Sequence, residues 1–139
     1  MTPKQWGRVK HFDAGERWGD PAMMDCHLIF ELDRLRQYIG RRIVIHCGYE
    51  ARDGKGYHPL GKAVDCHAEG LHPVEFYLAA SRFDFGGFGV YLWWNTPGLH
   101  LDTRRIKGPD FRALWGSTGP KIYVPFDRDF LTQAMLIVV

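Results

Sequence analysis

A helix followed closely by a β-branched strand is the feature that most constrains the fold of this 139-residue chain. Within residues 24–39, apolar side chains recur every three or four positions, which is the period of a helix with one buried face. Asp20 and Pro21 supply an N-cap and a first-turn proline, and Gly40 is a typical helix end. The β-branched run at residues 43–45 then predicts a strand.

The rest of the chain alternates turn signals with short strand patterns. Further strands are predicted at residues 63–67, 88–93, 99–103 and 122–124, a second helix at residues 73–82, and a short helix from Asp129 onward. We expect a small single domain over residues 1–139, of the α+β class, with a mainly antiparallel sheet and helices packed on one side.

Composition excludes several classes of protein. The chain is 45% hydrophobic and 24% charged, as in a folded globular protein, and its formal charge of +2 makes no case for nucleic acid as a partner. No apolar run approaches the ~20 residues of a membrane span, and no signal peptide is visible. Three widely spaced cysteines predict free thiols and synthesis in a reducing compartment, the cytoplasm.

The residues most suited to chemistry lie in two segments. His58 begins a loop that ends in a strand carrying Asp65, and the downstream strand carries His100 and Asp102 on one face. Imidazole nitrogen and carboxylate oxygen are good zinc ligands, and three protein ligands with one open position define a catalytic zinc site. The spacing alone leaves the alternative of ordinary surface or hydrogen-bonded histidines open.

The run His58-x-x-Gly61-x-Ala63-x-Asp65, followed by a later His-x-Asp, resembles the zinc signature of the D-Ala-D-Ala metallopeptidases. Lysostaphin-type and hedgehog-type domains belong to the same superfamily. The branch most similar to this chain contains small carboxypeptidase-like and endopeptidase-like proteins of bacteria and phages. The resemblance covers roughly residues 12–115. It implies a hedgehog-like fold and zinc held by His58, Asp65 and His100.

The general base is less clearly marked, because Pro97 and Gly98 stand where many relatives have an acid or a histidine. Asp102 is the substitute we predict as catalytic residue, and its alternatives are a partner that orients a ligand or a salt bridge with Arg104. Asp102 could also be the third ligand, with His100 carrying protons. The arginine that binds substrate in relatives is displaced here to Arg52, for which a solvated loop arginine is the alternative, and a serine of relatives corresponds to Cys47.

The function that the resemblance implies is zinc-dependent hydrolysis of a peptide bond in bacterial peptidoglycan stem or cross-link peptides. The expected protein is a monomeric metallopeptidase, resembling a carboxypeptidase or an endolysin, that is made in the cytoplasm and released to the cell wall, as a phage enzyme would be. The alternative is a zinc-binding structural or cell-wall-binding module without catalysis, for example in a phage particle.

Overall fold

The computed structural model describes residues 1–51 and 54–138. Its helices are α1 (Pro3–Trp6), α2 (Cys26–Ile39), α3 (Pro73–Ala80) and α4 (Arg128–Met135). Its strands are β1 (Ile43–Cys47), β2 (Ala63–Ala68), β3 (Gly87–Tyr91), β4 (Gly98–Asp102), β5 (Ala113–Gly119) and β6 (Ile122–Pro125). Short 3₁₀ turns occupy Pro21–Met23 and His58–Leu60.

The long predicted helix is present, but it begins later than Asp20 indicates. Asp20 caps only the 3₁₀ turn, where its side chain accepts from the Ala22 N–H. A second aspartate, Asp25, then caps α2 through the Leu28 N–H. Gly40 ends α2 in the left-handed conformation, as predicted.

The six strands form one sheet in the order β1-β2-β4-β3-β5-β6. All neighbouring pairs are antiparallel except β3 and β5, which are parallel. The predicted α+β class with a mainly antiparallel sheet is therefore confirmed, whereas the hedgehog-like part of that prediction stays a prediction. The strand β5 was not predicted from the sequence.

Apolar and polar side chains alternate along the strand β2, so one face of the sheet packs on the core and the other is polar. On β2, Val64 and Cys66 are fully buried and join the same apolar core as the α2 residues Leu28, Leu32 and Leu35. Asp65 and His67, one position out of phase, point to the opposite face. The helices α2 and α3 contact one another, and α3 packs against β2, β3 and β4. Within the described residues, no helix is long and apolar enough to cross a membrane.

Candidate metal centre

One row of residues crosses the polar face of the sheet and positions the site. Asp65 on β2 lies opposite His100 on β4, and His100 lies opposite Gly89 on β3. Gly89 is in turn paired with Trp115 on β5. A Cβ at position 89 would lie 2.6 Å from the Trp115 ring, so the missing side chain lets the indole lean toward His100, with 5.3 Å between the ring centroids.

His58 reaches the same point from the 3₁₀ turn that precedes β2. The turn ends at Gly61, whose φ is 68° and whose Cβ would lie 1.8 Å from the Met23 carbonyl oxygen, so only glycine fits there. His58 is 6% exposed, and its Nδ1 lies 2.7 Å from the Gly48 carbonyl oxygen. Because a carbonyl only accepts, Nδ1 carries a proton and donates it, which leaves Nε2 to face Asp65 Oδ1 at 3.3 Å.

His100 is oriented by a second carboxylate. Its Nε2 lies 2.7 Å from Asp102 Oδ2, and Asp102 is completely buried. Hydrogen bonds from His100 and Arg104 outweigh the effect of burial and hold the pKa of Asp102 well below its usual range. An ionised carboxylate only accepts, so Nε2–H donates and the other nitrogen, Nδ1, faces Asp65 Oδ1 at 3.1 Å.

His58 Nε2 and His100 Nδ1 therefore both face one oxygen of Asp65, as N–H donors when the rings are protonated and as lone pairs when the rings are neutral. Burial lowers the pKa of each histidine, but hydrogen bonds to carboxylates outweigh it: Asp65 raises the pKa of His58 to about 9, and Asp102 and Asp65 raise that of His100 to about 9. Burial alone would raise the pKa of Asp65, yet the two histidines hold it well below its usual range. Such a cluster requires positive charge, supplied by protons or by a metal ion.

The spacing of these atoms fits a zinc ion. Zinc bonds to nitrogen and oxygen at about 2.0–2.2 Å in tetrahedral sites, so two of its ligand atoms lie about 3.3 Å apart. The separations of 3.3 Å and 3.1 Å from Asp65 Oδ1 agree with that value. The structure thus brings together His58, Asp65 and His100, although their role as ligands stays a prediction.

Cys47 is a fourth member of the cluster that sequence reasoning did not count as a ligand. Ligand atoms of Cys47, His58 and Asp65 lie within 4.8 Å of one another and could hold a metal ion. Cys47 Sγ is 3.9 Å from His58 Nδ1, the nitrogen that donates to the Gly48 carbonyl. His100 is not part of that three-residue set, but its Nδ1 lies 3.1 Å from Asp65 Oδ1, so it borders the set through the shared carboxylate.

Asp102 is positioned to act through other residues. Oδ1 accepts from Arg104 N and Nε at 3.0 Å and 2.9 Å, and Oδ2 accepts from Arg104 Nη2 at 2.6 Å as well as from His100. The Arg104 guanidinium is itself held between the rings of Tyr57 and Trp115, at 4.7 Å and 5.0 Å. This geometry favours the two alternatives considered for Asp102, orientation of a ligand and a salt bridge, over proton transfer to substrate.

The predicted substrate-binding residue Arg52 falls outside the described residues. Other polar and aromatic side chains lie near the centre. In the described structure His67 does not contact the candidate metal centre. Its Nδ1 lies 2.6 Å from His46 Nε2. Trp93 is partly exposed and, with Trp94, lines the cleft in which the cluster lies.

No family model matches the chain, and no curated protein matches it. Membership of the D-Ala-D-Ala metallopeptidase family therefore stays a prediction from the sequence motif.

Proposed function

We propose that this protein is a zinc-dependent hydrolase that cuts a peptide bond in the stem or cross-link peptides of bacterial peptidoglycan. The observation that carries the proposal is the convergence of His58 Nε2 and His100 Nδ1 on one oxygen of Asp65. This donor set opens into a cleft of about 720 Å³, a volume typical of ligand sites. The motif that places these residues resembles the zinc signature of enzymes with that activity.

His58, Asp65 and His100 would hold the ion, with one ligand position left for water or substrate. A bound zinc ion polarises a carbonyl group and lowers the pKa of a water molecule toward ~7. The Gly48 carbonyl and Asp102 fix the ring orientations of the two histidines, which keeps the correct nitrogen of each ring directed at the centre.

The cleft supplies side chains that can bind a peptide. Tyr57, Tyr91 and Trp115 provide apolar and hydrogen-bonding surface, and Lys55 and Lys121 provide positive charge for carboxylates. Stem peptides of the bacterial wall carry carboxylates, so the charge of the cleft agrees with the proposed substrate class.

A zinc-binding module without catalysis is the second candidate, and one observation favours it. Both oxygens of Asp102 accept hydrogen bonds from Arg104, and one also accepts from His100, so Asp102 is not free to take a proton from water. Such a module would keep the metal centre and the cleft and bind wall peptides without cutting them.

Zymography on purified cell walls separates the two candidates. The zinc-loaded protein is compared with His58→Ala, which removes a proposed ligand, and with His27→Ala, a surface histidine paired with Asp84. Lysis by the wild type and by His27→Ala, but not by His58→Ala, supports the hydrolase. Zinc binding with retention on the walls but no lysis supports the binding module and rejects the hydrolase. Less than about half an equivalent of zinc in the purified protein rejects both.

A further inference from the structure

We infer that the substrate runs through the metal centre and continues on both sides of it, so that the protein cuts within an anionic peptide and does not trim a chain end. This inference deepens the proposed function and rests on it. Two clefts adjoin Asp65 on the polar face of the sheet. The β5 cleft is lined by Tyr57, His58, His100, Trp115 and Lys121 among others, and the β1 cleft by Arg17, Arg42, His46, His67 and Asn95 among others.

The two clefts meet at one proposed metal ligand, Asp65, while His58 and His100 line the β5 cleft alone. Asp65 lines both clefts, and so do Trp93 and Trp94. Their volumes are about 800 Å³ for the β1 cleft and about 720 Å³ for the β5 cleft, so each is large enough for several peptide units. An enzyme that removes a terminal residue needs a wall beside the metal centre, whereas here a second cleft adjoins Asp65.

A shared aromatic wall spans the junction. Trp94 stacks on Tyr91 with ring centroids 4.4 Å apart and an interplanar angle of 16°, and its edge packs against His46 at 5.3 Å. Trp93 is 42% exposed, while its Nε1–H donates to Ser117 Oγ at 2.9 Å. Both indoles are thus fixed by neighbours, and both line each of the two clefts, so a chain that passes from one cleft to the other would contact them.

The cationic side chains that line the two clefts favour a substrate with carboxylates on both sides of the scissile bond. The β1 cleft contains two arginines, Arg17 and Arg42, and two carboxylates, Glu16 and the proposed ligand Asp65. Arg42 also forms an ion pair with Glu69, which leaves Arg17 as the better placed cation.

The β5 cleft contains Lys55, Arg104 and Lys121, and Arg104 is already engaged by Asp102. Each cleft therefore offers at least one cation to a peptide carboxylate. Hydrolysis adds the hydroxyl of one water to the carbonyl carbon and a proton to the amide nitrogen, which releases one carboxylate fragment from one cleft and one amine fragment from the other.

Binding and product analysis with two peptides test this inference. The probes are a cross-linked dimer of wall stem peptides and the single stem peptide, and the binding phase is followed by quenching of tryptophan fluorescence in a stopped-flow instrument. We expect the dimer to bind about tenfold more tightly, and Arg17→Gln and Lys121→Gln each to weaken its binding by about tenfold. Only one of these two substitutions should weaken binding of the single stem peptide. Arg8 is an exposed arginine outside both clefts, so Arg8→Gln should change the affinity for neither peptide.

The products separate this inference from the proposed function. Conversion of dimers to single stems supports it, whereas release of a terminal amino acid from the single stem, with equal affinity for the two peptides, overturns it and leaves the hydrolase intact. If no peptide is cut but the affinity pattern is as expected, the hydrolase is rejected and two-sided binding stands. Dimer binding that is insensitive to either Arg17→Gln or Lys121→Gln overturns the inference whatever the activity.

Discussion

His100 Nδ1 lies 3.1 Å from Asp65 Oδ1 because the two residues are register partners on β4 and β2. The opposite nitrogen of His100 donates to Asp102, so when the ring is neutral the nitrogen that faces Asp65 has only a lone pair to offer. Two acceptors at this distance repel, so the contact requires either a proton on that nitrogen or a metal ion between the two atoms. The sheet register thus builds a site for positive charge, and His58 adds a third donor from a turn.

Zinc content should depend on His100 and not on Cys47. His100→Ala and His58→Ala should each lose most of the metal, because a two-ligand remainder binds zinc weakly. Cys47→Ser should keep about one zinc per chain, as should the control His67→Ala, which changes a histidine two residues from Asp65. Elemental analysis after dialysis is the measurement. Loss of zinc in Cys47→Ser together with its retention in His100→Ala would identify the alternative set of Cys47, His58 and Asp65.

Zinc affinity should rise steeply with pH. In the metal-free protein the pKa values of His58 and His100 are raised to about 9, so both rings are protonated at pH 7 and must release protons to bind a metal. We expect the logarithm of the apparent affinity to rise by up to about two units per pH unit between about pH 6 and 9. Competition with a chelating dye measures it, and an affinity that is flat over this range would show that the two rings do not bind the metal.

The metal-free protein should lose stability as pH rises. A histidine whose pKa is raised from 6.5 to about 9 on folding stabilises the folded state fully below pH 6.5 and loses that contribution as pH rises through about 9. The Tm of the chelator-treated protein should therefore fall by more than about 5 °C from pH 6.5 to 9.5. The zinc-loaded protein is the control and should show no such fall, because zinc replaces the protons. An equal fall of Tm with pH in the chelator-treated and the zinc-loaded protein would contradict this account.

The parts of the fold that were predictable carry local signals. The helix α2 has apolar periodicity and a glycine end, and β2 and β4 have alternating patterns, so their existence follows from short segments. The strand β5 has no β-branched run and contains two glycines, and its parallel pairing with β3 is a long-range contact. The local sequence of β5 therefore gives no strand signal, and its pairing with a distant strand is not visible in a short stretch of sequence.

The site, like the fold, was predictable where the local sequence carries a signal. His58, Asp65 and His100 follow from motif spacing, whereas the position of Cys47 depends on an irregularity in β1. Ile45 pairs with Cys66, so regular pairing would place His46 opposite Asp65; a register shift between Ile45 and Cys47 places the thiol there instead. The only hint in the sequence is that Cys47 occupies the position of a serine in the proteins that this chain resembles.

Asp102→Asn should weaken the metal centre and the fold together. The substitution removes the charge that Arg104 and His100 share in a fully buried position, and replaces one acceptor by a donor. We expect about 10- to 100-fold weaker zinc binding and about 3 kcal/mol less stability to urea. Asp84→Asn, at a half-exposed carboxylate paired with Arg105, is the matched control and should cost under about 1 kcal/mol. Normal zinc affinity in Asp102→Asn would show that the carboxylate does not orient His100.

Gly89→Ala should displace Trp115 and destabilise the protein by about 1–3 kcal/mol. Its new Cβ would lie 2.6 Å from the indole and 2.7 Å from Tyr91 Cε2, so both rings must move and the packing of Trp115 on His100 is lost. Gly7→Ala is the control, since Gly7 has a φ of −63° and nothing closer than 3.4 Å to an added Cβ. Urea denaturation measures the loss of stability, and near-ultraviolet circular dichroism reports the indole. An unchanged spectrum with unchanged stability would contradict the requirement for glycine in the row that joins Asp65, His100 and Trp115.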